Sequence, residues 1–397
     1  MSVYAEVLGR EPGQVVRPGS QEEARDVVAQ ASADGKTVVP WGGGTGQTFG
    51  YLPKSADVLL DLSGLNRVVA VEPGDLTITV EAGVTLDAVQ EALAMHGQFL
   101  PLDPAHPAQA TMGGIVATNA WGASRLGFGT VRDWLIGIAV VDGEGRRVKG
   151  GGKVVKNVTG YDLPKLHVGA LGTLGVVVEA TFKTAPLPES SRGFLLGGGD
   201  LDGNAQTVLA RLHEETTPTI SVLREVRGGI RALALVYTGF VEVVEEEMAR
   251  ALDIARAHGA DVVTLSDTMP APFGPPPPDA PLVVRVSGSR ADAASRHREL
   301  AGDEWQLADT LPGTGHTTLH LAPDSDPQTA LAKMVQWSRE RQIPFSVWHA
   351  PLAVREAGPD TSPLWFPLPS TLPLTRRMKA ALDPGGLLNP GRFVGGL

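Results

Sequence analysis

Seven residues, Pro40-Trp41-Gly42-Gly43-Gly44-Thr45-Gly46, carry the clearest chemical signal in this chain. They follow a short β-branched run, Thr37-Val38-Val39, and place four glycines in five positions. Successive glycines can aim a row of backbone N–H groups at one point with no side chain in the way, which makes a cradle for an anion. A diphosphate suits that chemistry. No helix is expected next, because Gln47-Thr48-Phe49-Gly50-Tyr51 has no apolar period. A hairpin loop would use the same residues, so the run gains meaning only from its company.

That company is three further small-residue segments in order: Thr111 to Gly114 with Asn119 and Gly122, Gly169 to Gly175, and Asn389 to Gly391. A nucleotide cofactor with two phosphates and a fused ring system needs close backbone approach at several places, and small residues permit it. Other chemistries find no support. Neither Gly42 and Gly44 nor Gly44 and Gly46 completes a G-x-G-x-x-G fingerprint. Gly150-Gly151-Gly152-Lys153 lacks P-loop spacing and reads as a glycine-rich hairpin. There is no G-x-S-x-G elbow. His316 and His320 flank Thr317-Thr318-Leu319, which favours a strand, and on a strand they stand about 13 Å apart, too far for one metal ion. No metal site is expected.

Composition narrows the field. A net charge of −10 argues against a nucleic-acid groove, and 42% hydrophobic against 20% charged residues describes a folded chain. No cysteine is present, so the chain cannot form a disulfide, ligate an iron–sulfur cluster or attach a cofactor through sulfur. The first residues carry Glu6, Arg10 and Glu11 without an apolar core segment, and a cytoplasmic home is expected.

The elements that must position these segments are mixed. Residues 20–35 read as a helix with Ser20 and Glu23 as a capping box and Gly35 closing it. Leu76–Val80 alternates as a strand, Thr85 caps a helix through Leu86, Val89 and Leu93, and strands follow at 136–141 and 176–182. Residues 98–130 read as a long loop of small residues, a length that is uncommon unless functional. Beyond Pro186 and Pro188 strands and helices alternate as β-β-α-β-β-α-β-β-α-β, with an exposed proline-rich loop from Pro270 to Pro281, suggesting ferredoxin-like pieces and leaving room for an internal duplication.

Several motifs in order resemble the vanillyl-alcohol-oxidase, or PCMH-type, FAD-binding family: the first glycine turn, Ala110–Ala120, Arg125–Asp133, Lys156–Leu163 and the closing Leu-Asn-Pro-Gly-Arg. The resemblance implies an α+β fold. It would have a two-part FAD-binding domain (1–188), a ferredoxin-like cap (189–370) and a C-terminal segment returning to the flavin (371–397). It also implies that Pro40, Trp41, Gly42, Gly43, Gly44, Thr45 and Gly46 hold the pyrophosphate. Pro101, Asp103, Thr111, Met112, Gly113 and Gly114 would line the ribityl chain and ring, with Ala117, Thr118 and Asn119 beside them. Gly122 and Gly127 would accommodate the dinucleotide, Gly172, Gly175 and Val177 would flank the adenine, and Arg392 would sit near the flavin N1–C2=O edge. Thr45 stands where some relatives attach flavin through His, so non-covalent FAD is expected.

Within the family the chain most resembles the accessory FAD-binding components of bacterial glycolate oxidases. That resemblance implies oxidation of glycolate to glyoxylate by a complex, with a second FAD-containing catalytic subunit and an iron–sulfur subunit as partners. Catalytic relatives carry His-Gly-Asp-Gly-Asn-x-His, whereas Pro312-Gly313-Thr314-Gly315-His316 stands here, which favours the companion FAD protein as the place of oxidation. Two alternatives stand beside it: a stand-alone 2-hydroxy acid dehydrogenase or oxidase, with His316 or His349 as base and Arg392 as carboxylate cation, and a scaffold that has lost FAD.

Overall fold

The computed structural model describes residues 2–152, 162–197, 200–227, 230–266 and 279–397. Most of the Lys156–Leu163 motif and of the proline-rich stretch from Pro270, together with Lys153, therefore lies outside the described residues.

The first half is built on two sheets. Gln14–Val16, Val58–Asp61 and Val38–Trp41 form a parallel three-stranded sheet in that spatial order. Val68–Glu72, Thr77–Glu81, Val176–Lys183, Leu135–Val141 and Arg147–Gly151 form an antiparallel five-stranded sheet, again in spatial order. One face of the larger sheet packs Ile78, Val80 and Val140 against Leu86, Val89, Ile115 and Val116. The other packs Ala139, Val141, Val176 and Val178 against Ala24, Val28 and the small sheet. Thr77–Glu81 is thus buried along its whole length, as a strand covered on both faces must be.

Local signals settle several of these elements. Ser20 accepts from Glu23 N at 3.1 Å and starts the helix Gln21–Ala33, but Glu23 reaches back to Gly19 N rather than to Ser20, so the expected capping box is not closed. Thr85 caps Leu86–Ala94 through Ala88 N. The loop expected over 98–130 is a correction: it contains the helices Met112–Thr118 and Arg125–Phe128. Two glycines disfavour the first of these, yet Gly113 must be small because a Cβ there would lie 2.8 Å from the Ala82 Cβ on the sheet. Gly150 and Gly151 are likewise part of a strand rather than of its turn.

The second half is one sheet made of two similar units. Ser190–Gly197, helix Asp200–Glu215, Ile220–Val226, Ile230–Gly239, helix Val241–Ala257 and Asp261–Ser266 form the first βαββαβ unit. Val283–Ser287, helix Ala293–Leu300, Trp305–Leu311, His316–Leu321, helix Pro327–Arg341 and Phe345–His349 form the second. In each the strands lie fourth-first-third-second, the ferredoxin-like order, and the units join through their second strands, where Leu223 faces Thr310. With Trp365–Phe366 on one edge, this gives nine strands among the described residues. Each unit has its own core.

The tail then returns to the first half. After helix Leu372–Leu382, Leu387 O accepts from Val38 N at 2.9 Å and Asn389 N donates to Val38 O at 2.8 Å. No helix among the described residues is long and apolar enough to cross a membrane.

Candidate functional site

A cleft opens beside the first glycine turn. Pro40 to Gln47, Thr111, Gly113, Gly114, Ala117, Thr118, Gly172, Val177 and Arg392 line it, together with Leu62, Ala82, Leu171 and Asn389. Four segments far apart in sequence therefore meet at one cavity. The turn is pressed against its neighbours: a Cβ on Gly43 would stand 1.7 Å from Gln109 O, and one on Gly42 2.3 Å from Thr111 Oγ1. The N–H groups of Gly43, Gly44, Thr45 and Gly46 have no acceptor among the described residues. Backbone N–H groups are rarely left unpaired at a closed surface. This cradle, glycine at every position but Thr45 and rich in free donors, fits a diphosphate-bearing dinucleotide such as FAD.

Other expected residues lie elsewhere. Met112 is buried in the core beneath the cleft. Asp103 does not line it; its two carboxylate oxygens accept from Gly122 N at 3.0 Å and Ser124 N at 2.8 Å and so fold the 122–124 bend, while burial pushes its carboxyl above the ordinary range. Pro101 is buried outside the lining, and Gly122 packs on Asp103. Gly127 packs on Thr219 of the second half and Gly175 on His167 and Val140. Asn119 ends the helix Met112–Thr118 in the left-handed conformation, with its Oδ1 buried and unpartnered. Arg392 is not at the surface. It is 2% exposed and donates to Gln47 O, Gln47 Oε1 and Phe49 O.

A second cluster borders this cleft through two short chain connections, from Thr118 to Trp121 and from Gln47 to Phe49. Phe49 stacks on Trp348, 4.5 Å between centroids. Arg285, on the strand Val283–Ser287, lies between Trp348 at 3.6 Å and Trp121 at 4.0 Å, and its Nε and Nη1 are buried without partners. No carboxylate pairs with it among the described residues. The two rings return about 2 kcal/mol or more each, while burial pulls its pKa down to about 9. Arg125 covers Trp121 at 4.1 Å and reaches His316 Nε2 at 3.4 Å. A guanidinium only donates, so Nε2 accepts and the His316 proton sits on Nδ1, facing Thr314 Oγ1 at 3.1 Å. Burial, with Arg125 adding to it, lowers the His316 pKa to about 4. The imidazole is neutral.

His316 and His320 both lie on the strand His316–Leu321. His320 and His349 flank Val283 on its two neighbouring strands. His349 has a lowered pKa from burial, then from Arg355. Arg125 and Arg285 were the residues that sequence reasoning gave no site role. The signal for Arg285 was its place inside Leu282-Val283-Val284-Arg285-Val286, a charge in an otherwise apolar strand.

Comparisons place this geometry among known proteins. Residues 12–151 match the family described as FAD binding domain. The D-2-hydroxyglutarate dehydrogenase of Xanthomonas citri pathovar viticola is 30% identical over 372 residues, covering 89% of this chain and 70% of that one. The glycolate oxidase subunit GlcE of Escherichia coli is 38% identical over 165 residues, 41% of this chain and 47% of that one. The glycolate oxidase subunit GlcD of Bacillus subtilis is 36% identical over 198 residues, 50% and 42% respectively. The chain thus spans less than half the length of GlcE or GlcD. The solved alkyldihydroxyacetonephosphate synthase has the same fold, with a TM-score of 0.71 over 95% of this chain and 75% of that one at 16% identity. On the match that covers 89% of this chain and 70% of the relative, the chain belongs to the FAD-binding oxidoreductase family of the D-2-hydroxyglutarate dehydrogenase.

Proposed function

We propose that this chain is an FAD-dependent dehydrogenase that oxidises a small 2-hydroxy acid to its 2-oxo acid without needing a companion catalytic protein. One observation carries the reading: Arg285, a buried guanidinium without a carboxylate, sits between two tryptophans beside the cofactor cleft. A buried cation of this kind is costly unless an anion completes it, and a substrate carboxylate is an anion of suitable size and geometry. Arg125 provides a second guanidinium on the same tryptophan. These replace Arg392 as the carboxylate cation, because both Arg392 terminal nitrogens are engaged by Gln47 and the Phe49 carbonyl.

Bound FAD supplies the acceptor for the hydride that leaves the hydroxyl-bearing carbon. This chain's residues do the rest. Arg285 orients the carboxylate, the tryptophans exclude water, and neutral His316 takes the hydroxyl proton on Nε2 once the substrate draws Arg125 onto its carboxylate. Gly43 to Gly46 would hold the diphosphate, and Thr45 offers no covalent attachment. The likeness to D-2-hydroxyglutarate dehydrogenase, over 89% of this chain and 70% of that one, supports this reading over a role inside a complex.

A second reading, one component of a glycolate oxidase, draws on the 38% identity to GlcE. Anaerobic addition of glycolate, D-lactate or D-2-hydroxyglutarate to the purified chain separates the two. Bleaching of the flavin band by one of these acids is expected. An unbleached flavin that reduces only when a second flavoprotein is added would favour the complex.

A further inference from the structure

Arg392 and Arg355 are among the largest fully buried side chains, each 2% exposed. They come from different places, the tail and the helix Leu352–Glu356, yet both donate to Gln47 O, at 2.9 and 3.0 Å. Arg355 also bonds Gly50 O at 3.0 Å and Val7 O at 2.7 Å. Every partner of the two guanidiniums is an uncharged oxygen, and neither has an ion pair among the described residues. Arg392 keeps its Nε buried and without a partner. Carbonyls satisfy donors but do not neutralise charge, so two like charges remain buried together.

Burial followed by the neighbouring Arg355 lowers the Arg392 pKa to about 9. That repulsion is consistent with a missing counter-ion. The bond network shows where it would sit: Gln47, held by both arginines, follows the turn whose four N–H groups have no acceptor, and Arg392 lines the same cleft.

Resting on the FAD reading of that cleft, we propose that Arg392 and Arg355 form the buried counter-charge of the cofactor's diphosphate, so that the chain selects a dinucleotide flavin by charge. Two cations match the two negative charges of the diphosphate bridge. The N–H groups of the turn give the geometry, and the arginine pair behind it gives the field. This moves Arg392 from the flavin N1–C2=O edge to the opposite end of the cofactor's chemistry.

The test removes the flavin from the full chain and reloads it with FAD or with riboflavin, which lacks phosphate, following flavin fluorescence. For Arg392→Met and Arg355→Met the expected result is a loss of FAD affinity of about 30-fold or more, with riboflavin affinity changed less than about 3-fold. Arg392→Lys keeps the charge and should recover FAD affinity to within about 10-fold. Inorganic diphosphate should compete with FAD on the unaltered chain and raise its melting temperature without flavin, but not that of Arg392→Met. FAD and riboflavin affinities falling by one factor would overturn the proposal, because the arginines would then only hold the 47–50 backbone. So would a shifted flavin reduction potential with unchanged FAD-to-riboflavin selectivity. Failure of the unaltered chain to bind FAD at all would instead count against the cofactor reading itself.

Discussion

Lys379 and Asp383, one helical turn apart, form a buried ion pair that ties the tail to the cofactor half. Lys379 Nζ also donates to Thr173 O at 2.7 Å and Leu388 O at 2.8 Å, while Asp383 accepts from Leu387 N and Leu388 N. The pair thus fixes the point where the tail joins the strand that leads into the glycine turn. Breaking a buried pair by removing one partner costs about 3–5 kcal/mol. Lys379→Met should lower unfolding stability by that order in urea melts and weaken flavin retention with it. A variant as stable as the unaltered chain would show the pair to be dispensable.

Gly43 offers a sharper test of the cradle. Its Cβ position lies 1.7 Å from Gln109 O, whereas Gly74 has nothing within 4 Å. Gly43→Ala should open the turn and purify without flavin. Gly74→Ala should keep its flavin and gain or lose less than about 1 kcal/mol.

Arg285 should separate function from stability. An unpaired buried charge contributes cost rather than strength to the fold. Arg285→Met should therefore melt at or above the temperature of the unaltered chain, while KM for the hydroxy acid rises about 100-fold or more. A fall in melting temperature with unchanged KM would make Arg285 a structural residue.

Acid should loosen the fold earlier than carboxylate titration alone explains. Burial is the leading cause that holds His167, His213, His316 and His320 at about 4 against 6.5 for free imidazole. Between those values the unfolded chain binds more protons, so stability falls as pH drops from about 6.5 toward 4. Each histidine contributes up to about 1.4 kcal/mol per pH unit. Urea midpoints at pH 7, 6 and 5 should decline steadily. A flat profile would mean that these imidazoles protonate freely in the folded state.

Thr45 stands in the first turn and cysteine is absent. Acid precipitation should leave the pellet colourless and all flavin in the supernatant. Yellow protein after washing would reveal a covalent bond.

Sequence alone determined what local chemistry controls. Gly42, Gly43, Gly44 and Gly46 specify a turn too closely packed for side chains at those positions, Ser20 and Thr85 start helices with their own hydroxyls, and missing cysteine excludes whole classes of cofactor bond. The tertiary structure decided the rest. Met112–Thr118 is helical because the sheet it covers requires small residues there, overriding their weak propensity. The two βαββαβ units were only half legible: Ser190–Gly197 opens on Ser-Ser-Arg-Gly with no apolar alternation, so the strand that starts the first unit left no local signal. Trp121, Arg285 and Trp348 meet because strand order brings together segments more than sixty residues apart, and no local pattern records which strand lies beside which. The burial of Arg392 was likewise invisible in the chain, since a terminal arginine is usually solvated until a tail folds back over it.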